Sequence, residues 1–258
     1  MKPIRLLQFT DLHLYRDPAE ELRGIATLPA LQAALRHAAQ RFPTRDAVVL
    51  TGDLVQDDAD GYELVQEIFG ASAQPVLCLP GNHDIPARMR ATLKSAPFQI
   101  GGTAALGNWR IALLDTYWEG HAGGRLGEKQ LKELEEFLKA NPDRYVMLCL
   151  HHQPIPMQSR WLDQVGLRDA PALMTLIERH ANVRAVVWGH VHQALDRFIG
   201  TARFMSTPAT CAQFLPFSDD FAIDRRPPGY RVIELMPDGS VATEVLWLED
   251  RKEHTQAA

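Results

Sequence analysis

Five apolar runs in this chain each break off at polar residues of metal-binding type, and that regularity constrains the fold more than any other feature. Residues 4–9 (IRLLQF) lead to Asp11-Leu12-His13, and 46–51 (DAVVLT) to Gly52-Asp53. Residues 75–79 (PVLCL) lead to Gly81-Asn82-His83-Asp84, 145–150 (YVMLCL) to His151-His152, and 183–188 (VRAVVW) to Gly189-His190-Val191-His192. Runs of this length and type read as buried strands. In α/β sheets, ligands collect beyond the carboxyl ends of strands, so a single site accounts for all five endings together. Side chains at i and i+2 of extended backbone share a face, which predicts that His190 and His192 point at one place.

Further strands are expected at 110–114 and 202–206, with a closing hairpin of 230–235 and 241–247 around Pro237-Asp238-Gly239-Ser240. Helical periodicity predicts helices over 28–41, 60–69, 86–94, 128–140 and 169–180. In the fourth, Leu131, Leu134 and Leu138 form a stripe that reads as plain core packing. Strands alternate with helices until a strand-rich C-terminal third, so the expected fold class is a layered α/β domain. With no repeat, low-complexity stretch or linker, residues 1–258 read as a single domain in which 203–248 is the strand-rich segment. The loops at 119–127 and 154–168 are the long irregular stretches, and such loops often carry function.

Composition removes several alternatives. A net charge of −5 over 258 residues argues against a basic nucleic-acid face. The three cysteines, Cys78, Cys149 and Cys211, are widely spaced and read as small buried hydrophobes in a reducing compartment. No apolar run reaches membrane-spanning length, and the N-terminal apolar stretch is too short for a signal peptide, so a cytoplasmic protein is expected.

The ligand set is then Asp11, His13, Asp53, Asn82, His151, His190 and His192. It mixes carboxylate and imidazole without thiolate, which suits iron, manganese, zinc or cobalt rather than calcium. Seven ligands exceed one tetrahedral ion but suit two ions sharing one carboxylate, the arrangement that clamps attacking and leaving oxygens in phosphoryl chemistry. Any one motif alone is weak, since Asp-x-His and Gly-Asn are ordinary loop sequences. Together they hold six of the ten histidines. His37, His121, His180 and His254 read as surface or structural, with His121 in a glycine-rich loop that could approach the site.

The set DLH (11–13), GDLVQD (52–57), GNHD (81–84), HH (151–152) and GHVH (189–192) resembles the motifs of the calcineurin-like metallophosphoesterases, in order and in spacing. The resemblance implies a four-layer α/β/β/α metallophosphoesterase sandwich with a dinuclear site at one edge. It assigns Asp11, His13, Asp53 and His192 to one metal and Asp53, Asn82, His151 and His190 to the other, with Asp53 bridging. Gln153 stands where the family often has proline, which alters the substrate wall without removing a ligand. Outside the motifs, RLLQFTDLHL, LHHQPIP, WLDQVGLRDA and STPATCAQFLPFSDDFAIDRRPPGYR are similar to the bacterial class III 3′,5′-cyclic-AMP phosphodiesterases.

That likeness implies hydrolysis of cyclic AMP to 5′-AMP by a hydroxide held between two metals, with iron or manganese favoured and zinc or cobalt open. Asp53 and His83 are the expected catalytic residues, His83 as general acid or phosphoryl-oxygen stabiliser with Asp84 orienting its ring. Asn82, His83, His152 and Gln213 are the expected substrate contacts, and Phe214 either stacks on the base or packs in the core. Asp57 reads equally as support for the site or as an acid favoured near a helix N-terminus. The expected partner is a small cyclic nucleotide, with no nucleic acid and no membrane; oligomeric state is unreadable. A general or glycerophospho-diesterase of the same fold is the alternative, and a non-catalytic scaffold a remote one that would be expected to have lost ligands.

Overall fold

A strand that is apolar at both parities must be covered on both faces, and Ile4–Phe9 meets that condition. In the computed structural model of the protein, which describes residues 2–248, Leu6 joins the apolar layer between two sheets. Leu7 and Phe9 point the other way, into a helix-covered layer. Ala47 and Val49 on the next strand also face the inter-sheet layer, while Val48 and Leu50 face helices. This period-two division is the physical basis of the layering.

The first six-stranded sheet runs Val241–Trp247, Gly229–Leu235, Ile4–Phe9, Ala47–Thr51, Val76–Leu79, Phe98–Ile100 from edge to edge. The second runs Leu195–Ile199, Ala202–Ser206, Val183–Trp188, Tyr145–Cys149, Trp109–Leu113, Gly102–Leu106. Each sheet has a parallel block of four strands: Ile4–Phe9 through Phe98–Ile100 in one, and Ala202–Ser206 through Trp109–Leu113 in the other. Parallel neighbours need crossover connections. The helices Thr27–Arg41, Gly61–Phe69 and Pro86–Thr92 supply them on the first sheet, and Gly127–Ala140 and Ala170–Arg179 on the second. The result is the α/β/β/α sandwich, its middle filled by Trp109, Met147, Val187, Met205 and Ile233 from facing sheets.

Strands and helices lie close to the expected ranges, and the Pro237–Ser240 segment closes the antiparallel hairpin of Gly229–Leu235 with Val241–Trp247. The sequence reading missed Phe98–Ile100, Gly102–Leu106, Leu195–Ile199, the short helix Arg160–Asp163, and two small ribbons. All three strands form sheet edges, and Leu195–Ile199 has only half-buried or exposed residues, so it carries little apolar signal. The ribbons pair Glu21–Leu22 with Ile25–Ala26, and Gln213–Phe214 with Ile223–Asp224.

The two sheets are also joined by a polar tie. Arg231, 2 % exposed on the Gly229–Leu235 strand, donates to Leu195 O at 3.0 Å and Ser206 O at 2.7 Å in the opposite sheet. Burial pulls its guanidinium down to about 10, still charged at neutral pH. No described helix is long and apolar enough to cross a membrane.

Candidate metal centre

The loops that leave the parallel strands do not diverge at once. Asp11 N donates to Gly52 O at 3.0 Å and His13 N to Asp53 O at 2.9 Å, so the first two loops remain zipped past the end of the sheet. Across the sandwich, His190 N donates to both carboxylate oxygens of Asp11 at 3.0 and 3.1 Å, binding the second sheet's loop to the first's. Asp11, His13, Asp53, His190 and His192 all have left-handed backbone, with φ between 45° and 65°. Non-glycine residues adopt that region rarely, and a cluster of them marks a site where packing over-determines strained backbone.

His190 and His192 therefore do not lie on extended backbone, contrary to the expectation. The strand ends at Trp188, and the turn that follows, with Val191 N donating to Gly189 O at 2.7 Å, brings both rings to the cleft. Glycines leave the room that these rings require. A Cβ on Gly52, where φ is +95°, would run into the His151 ring and lie 2.8 Å from Gly81 N.

Two buried groups of donors result, and Asp53 lies between them. His13, His192 and Asp11 form the first: the Nε2 atoms of the two histidines are 3.2 Å apart, and His192 Nε2 is 3.4 Å from Asp11 Oδ1. His151, His190 and Asn82 form the second, with His151 Nε2 3.2 Å from Asn82 Oδ1 and the His151 and His190 rings 5.0 Å apart. Asp53 Oδ2 is 3.8 Å from His13 Nε2 and 3.3 Å from His151 Nε2.

Electrostatics agree with a place built for cations. Burial pushes His13 down to about 4 and His190 down to about 3, so both are neutral imidazoles with a lone pair to give. Burial also opposes charge on His151 and His192, but Asp53 and Asp11 outweigh it, raising His151 to about 9 and His192 well above its ordinary value. Both carboxyls feel the same burial, yet their histidine neighbours hold Asp11 below and Asp53 well below the ordinary range. Protons on His151 and His192 thus do the neutralising that a metal would do.

The tautomers point the same way. Nδ1 of His151 donates to Thr51 O at 2.7 Å and Nδ1 of His192 to Ala212 O at 2.6 Å, which leaves each Nε2 aimed into the cluster. Among the described residues, His190 Nε2 is buried with no hydrogen-bond partner. An orphaned buried imidazole nitrogen is costly unless something else takes its lone pair. The donor set and this orphan fit a pair of transition-metal cations.

The remaining expected site residues divide. His83 lines the cleft, and its backbone N–H donates to Asp53 Oδ1 at 2.8 Å. Its ring is held by Asp57, not by Asp84: His83 Nδ1 is 2.9 Å from Asp57 Oδ2, with Gln56 Nε2 also at 2.9 Å. Asp84 faces inward and accepts from Tyr62 Oη, Leu54 N and Gly81 N, which fixes the turn carrying Asn82. Asp57 precedes the helix Gly61–Phe69 by four residues and has φ 53°, so the helix-terminus reading fails.

His152 and Gln213 have no free hydrogen-bonding atom for a ligand. His152 is fully buried, with Nδ1 2.8 Å from Thr116 Oγ1 and Nε2 3.2 Å from Ala122 O. Gln213 is fully buried, donating to Ala209 O and Cys211 O and accepting from Ala209 N. It is Phe214, next in sequence, that reaches the cleft, its ring 4.0 Å from His192 and 9° from parallel. His37 is bound to Tyr230 Oη at 2.9 Å, His121 stacks on Trp118, His180 ends the helix Ala170–Arg179, and His254 lies outside the described residues.

Sequence reasoning missed three features. Cys211 is no mere packing residue: its thiol, pushed up by burial, donates to Asp11 O at 3.2 Å beside His13 and His192. Trp161 and Phe221 line the same cleft as Phe214. Only the proximity of Cys211 to Gln213 in sequence could have pointed to the first.

Comparison with known proteins agrees with this geometry. The family model of the calcineurin-like phosphoesterases matches residues 4–194. The chain is 40% identical over 244 residues to a protein of Haemophilus influenzae named 3′,5′-cyclic adenosine monophosphate phosphodiesterase CpdA, covering 94% of this chain and 89% of that one. It is 38% identical over 251 residues to the protein of the same name in Escherichia coli K12, covering 96% and 91%. A dimetal phosphatase from Danio rerio has the same fold, with TM-score 0.65 at 16% identity over 94% of this chain and 99% of that one.

Proposed function

The chain belongs to the calcineurin-like phosphoesterase family, and we propose from that premise that it hydrolyses 3′,5′-cyclic AMP to 5′-AMP as a small soluble enzyme of the cytoplasm. The observation that carries the reading is the pair of buried histidine and carboxylate clusters with Asp53 between them. Identity of 38–40% with relatives of that activity by name, across nearly the whole chain, supports the substrate.

Asp11, His13, Asp53 and His192 would hold one cation, and Asp53, Asn82, His151 and His190 the other. When bound, two such cations acidify a water to nucleophile strength near neutral pH and neutralise charge building on the phosphoryl oxygens. The nitrogen and oxygen donors suit iron, manganese, zinc or cobalt, with iron or manganese proposed. The chain's own groups do the rest.

His83 borders the cleft, and it is the group we assign to protonate the departing ribose 3′ oxygen. Its Nδ1 is engaged by Asp57 and Gln56, so Nε2 is the nitrogen that serves as general acid. Asn82 orients the phosphate beside His83. His152, bonded to Thr116 and to Ala122 O, holds the 116–122 loop as one wall rather than touching the substrate. The cleft encloses about 250 Å³, which limits the water that accompanies a bound phosphodiester.

A second reading, hydrolysis of another phosphodiester such as a glycerophosphodiester, draws on a second, wider cavity of about 730 Å³ that shares Ala122 and Val165 with the cleft. Metal analysis with rates on cyclic AMP and glycerophosphodiesters, followed by product identification, separates the two. About two equivalents of metal and metal-dependent 5′-AMP are expected. Turnover of glycerophosphodiesters alone would transfer the substrate to the second reading.

A further inference from the structure

Beyond the donor cluster, the cleft has an aromatic side. Phe214 stacks flat on His192, so the aromatic wall begins where the metal-binding cluster ends. Trp161 meets Phe214 and Phe221 edge-on, both at 5.2 Å between ring centroids, and Phe214 and Phe221 are 5.3 Å apart. From the opposite rim, the turn between Glu21–Leu22 and Ile25–Ala26 places the Arg23 guanidinium 4.9 Å above the Phe221 ring. Phe221 is 44 % exposed, a large apolar ring at the mouth of the cleft.

Within this wall Trp161 Nε1 is buried and has no hydrogen-bond partner among the described residues. A buried indole N–H normally has an acceptor, and leaving one without costs stability. The position of this indole is fixed from behind. Gln153 donates from Nε2 to Leu162 O at 2.7 Å, and Arg160 pairs with Asp219 at 3.2 Å, which ties the short Arg160–Asp163 helix to the loop that bears Phe221. Gln153 is the residue that departs from the family's frequent proline, and proline has no side-chain donor for that bond.

We propose that Trp161, Phe214 and Phe221, roofed by Arg23, form the seat of the substrate's heteroaromatic base, with Trp161 Nε1 donating to a ring nitrogen. The inference rests on the phosphodiesterase reading and adds to it how a nucleoside is told from any other cyclic phosphate. Stacking platforms with an arginine cap suit a flat π-system. The single donor needs an acceptor in the plane of that system, which a purine supplies and a bare sugar does not.

The test compares cyclic AMP, its 1-, 3- and 7-deaza analogues, and the base-free methyl riboside 3′,5′-cyclic phosphate, on the metal-loaded wild type, Trp161→Phe and Arg23→Ala. Trp161→Phe is expected to raise KM for cyclic AMP about tenfold, with kcat kept and the base-free substrate unaffected. One deaza analogue is expected to show the same loss on the wild type and no further loss on Trp161→Phe. Arg23 is exposed, so Arg23→Ala tests the seat without disturbing folding; a rise of about threefold in KM for cyclic AMP alone is expected. Equal losses on both substrates, or no change in either variant, would overturn the seat while leaving the phosphodiesterase reading intact. A wild type that turns over neither cyclic phosphate overturns that reading and the seat with it.

Discussion

Asp53→Asn separates charge from shape at the centre of the site. The amide keeps an oxygen for the His83 N–H, which Asp53 Oδ1 accepts at 2.8 Å, but it removes the negative charge 3.3 Å from His151 Nε2. In metal-free protein burial disfavours an imidazolium at position 151, and Asp53, with smaller help from Asp11 and the Thr51 carbonyl, outweighs burial and raises His151 from 6.5 to about 9. At about 1.4 kcal/mol per pKa unit, that difference is about 3 kcal/mol of stabilisation. Because the folded value lies above the unfolded one, the contribution is complete below pH 6.5 and is lost as pH rises through about 9. Asp53's own carboxyl is held well below 3.8, so its share is present above that value and is lost only as pH falls through the folded value.

Urea denaturation of chelator-stripped protein at about pH 6 and about pH 9 reads the difference. Wild type is expected to lose up to about 3 kcal/mol across that window, and the variant to lose less. Without the shared carboxylate the variant is also expected to bind metal at least about 100-fold more weakly, with hydrolysis falling in step. Identical pH slopes in the two proteins would refute the electrostatic account. A variant that retains two metals and full activity would refute the bridging role.

Asp57→Ala frees the His83 ring without touching the donor cluster; kcat for cyclic AMP is expected to fall about 10- to 100-fold, and far less for a diester with a p-nitrophenolate leaving group. Equal losses on both substrates would mean that Asp57 does not act through proton donation. Gly52→Ala drives a Cβ into the His151 ring at a φ of +95°, and is expected to cost about 1–3 kcal/mol and to lower bound metal, read by thermal unfolding and elemental analysis. Arg231→Met leaves Leu195 O and Ser206 O short of their donor between the sheets, and is expected to cost about 2–4 kcal/mol in urea unfolding with the metal content of the folded protein unchanged.

The division between what sequence and structure determine follows from the range of the forces involved. Apolar runs such as IRLLQF and VRAVVW are legible because burial on two faces needs apolar residues at both parities, a local signal. Their abrupt ends at Asp11, Asp53, Asn82, His151 and His190 are equally local, so the parallel strands and the donor set could both be read from the chain. Edge strands such as Leu195–Ile199 bury little and leave no such mark.

Tertiary structure alone decided which neighbour serves which residue. Asp57 rather than Asp84 holds His83, because the loop after Ala47–Thr51 folds back with Asp57 N on His83 O while Asp84 turns inward to Tyr62. Gln213 turns into its own loop and Phe214 into the cleft, a choice made by the ribbon with Ile223–Asp224. Trp161 and Phe221 are sixty residues apart in sequence and share an aromatic wall only once the loop after Tyr145–Cys149 meets the one after Ala202–Ser206. Hydrogen-bond partners and ring contacts depend on direction at the scale of an ångström, which no spacing of residue types encodes; burial depends on area, which spacing does encode.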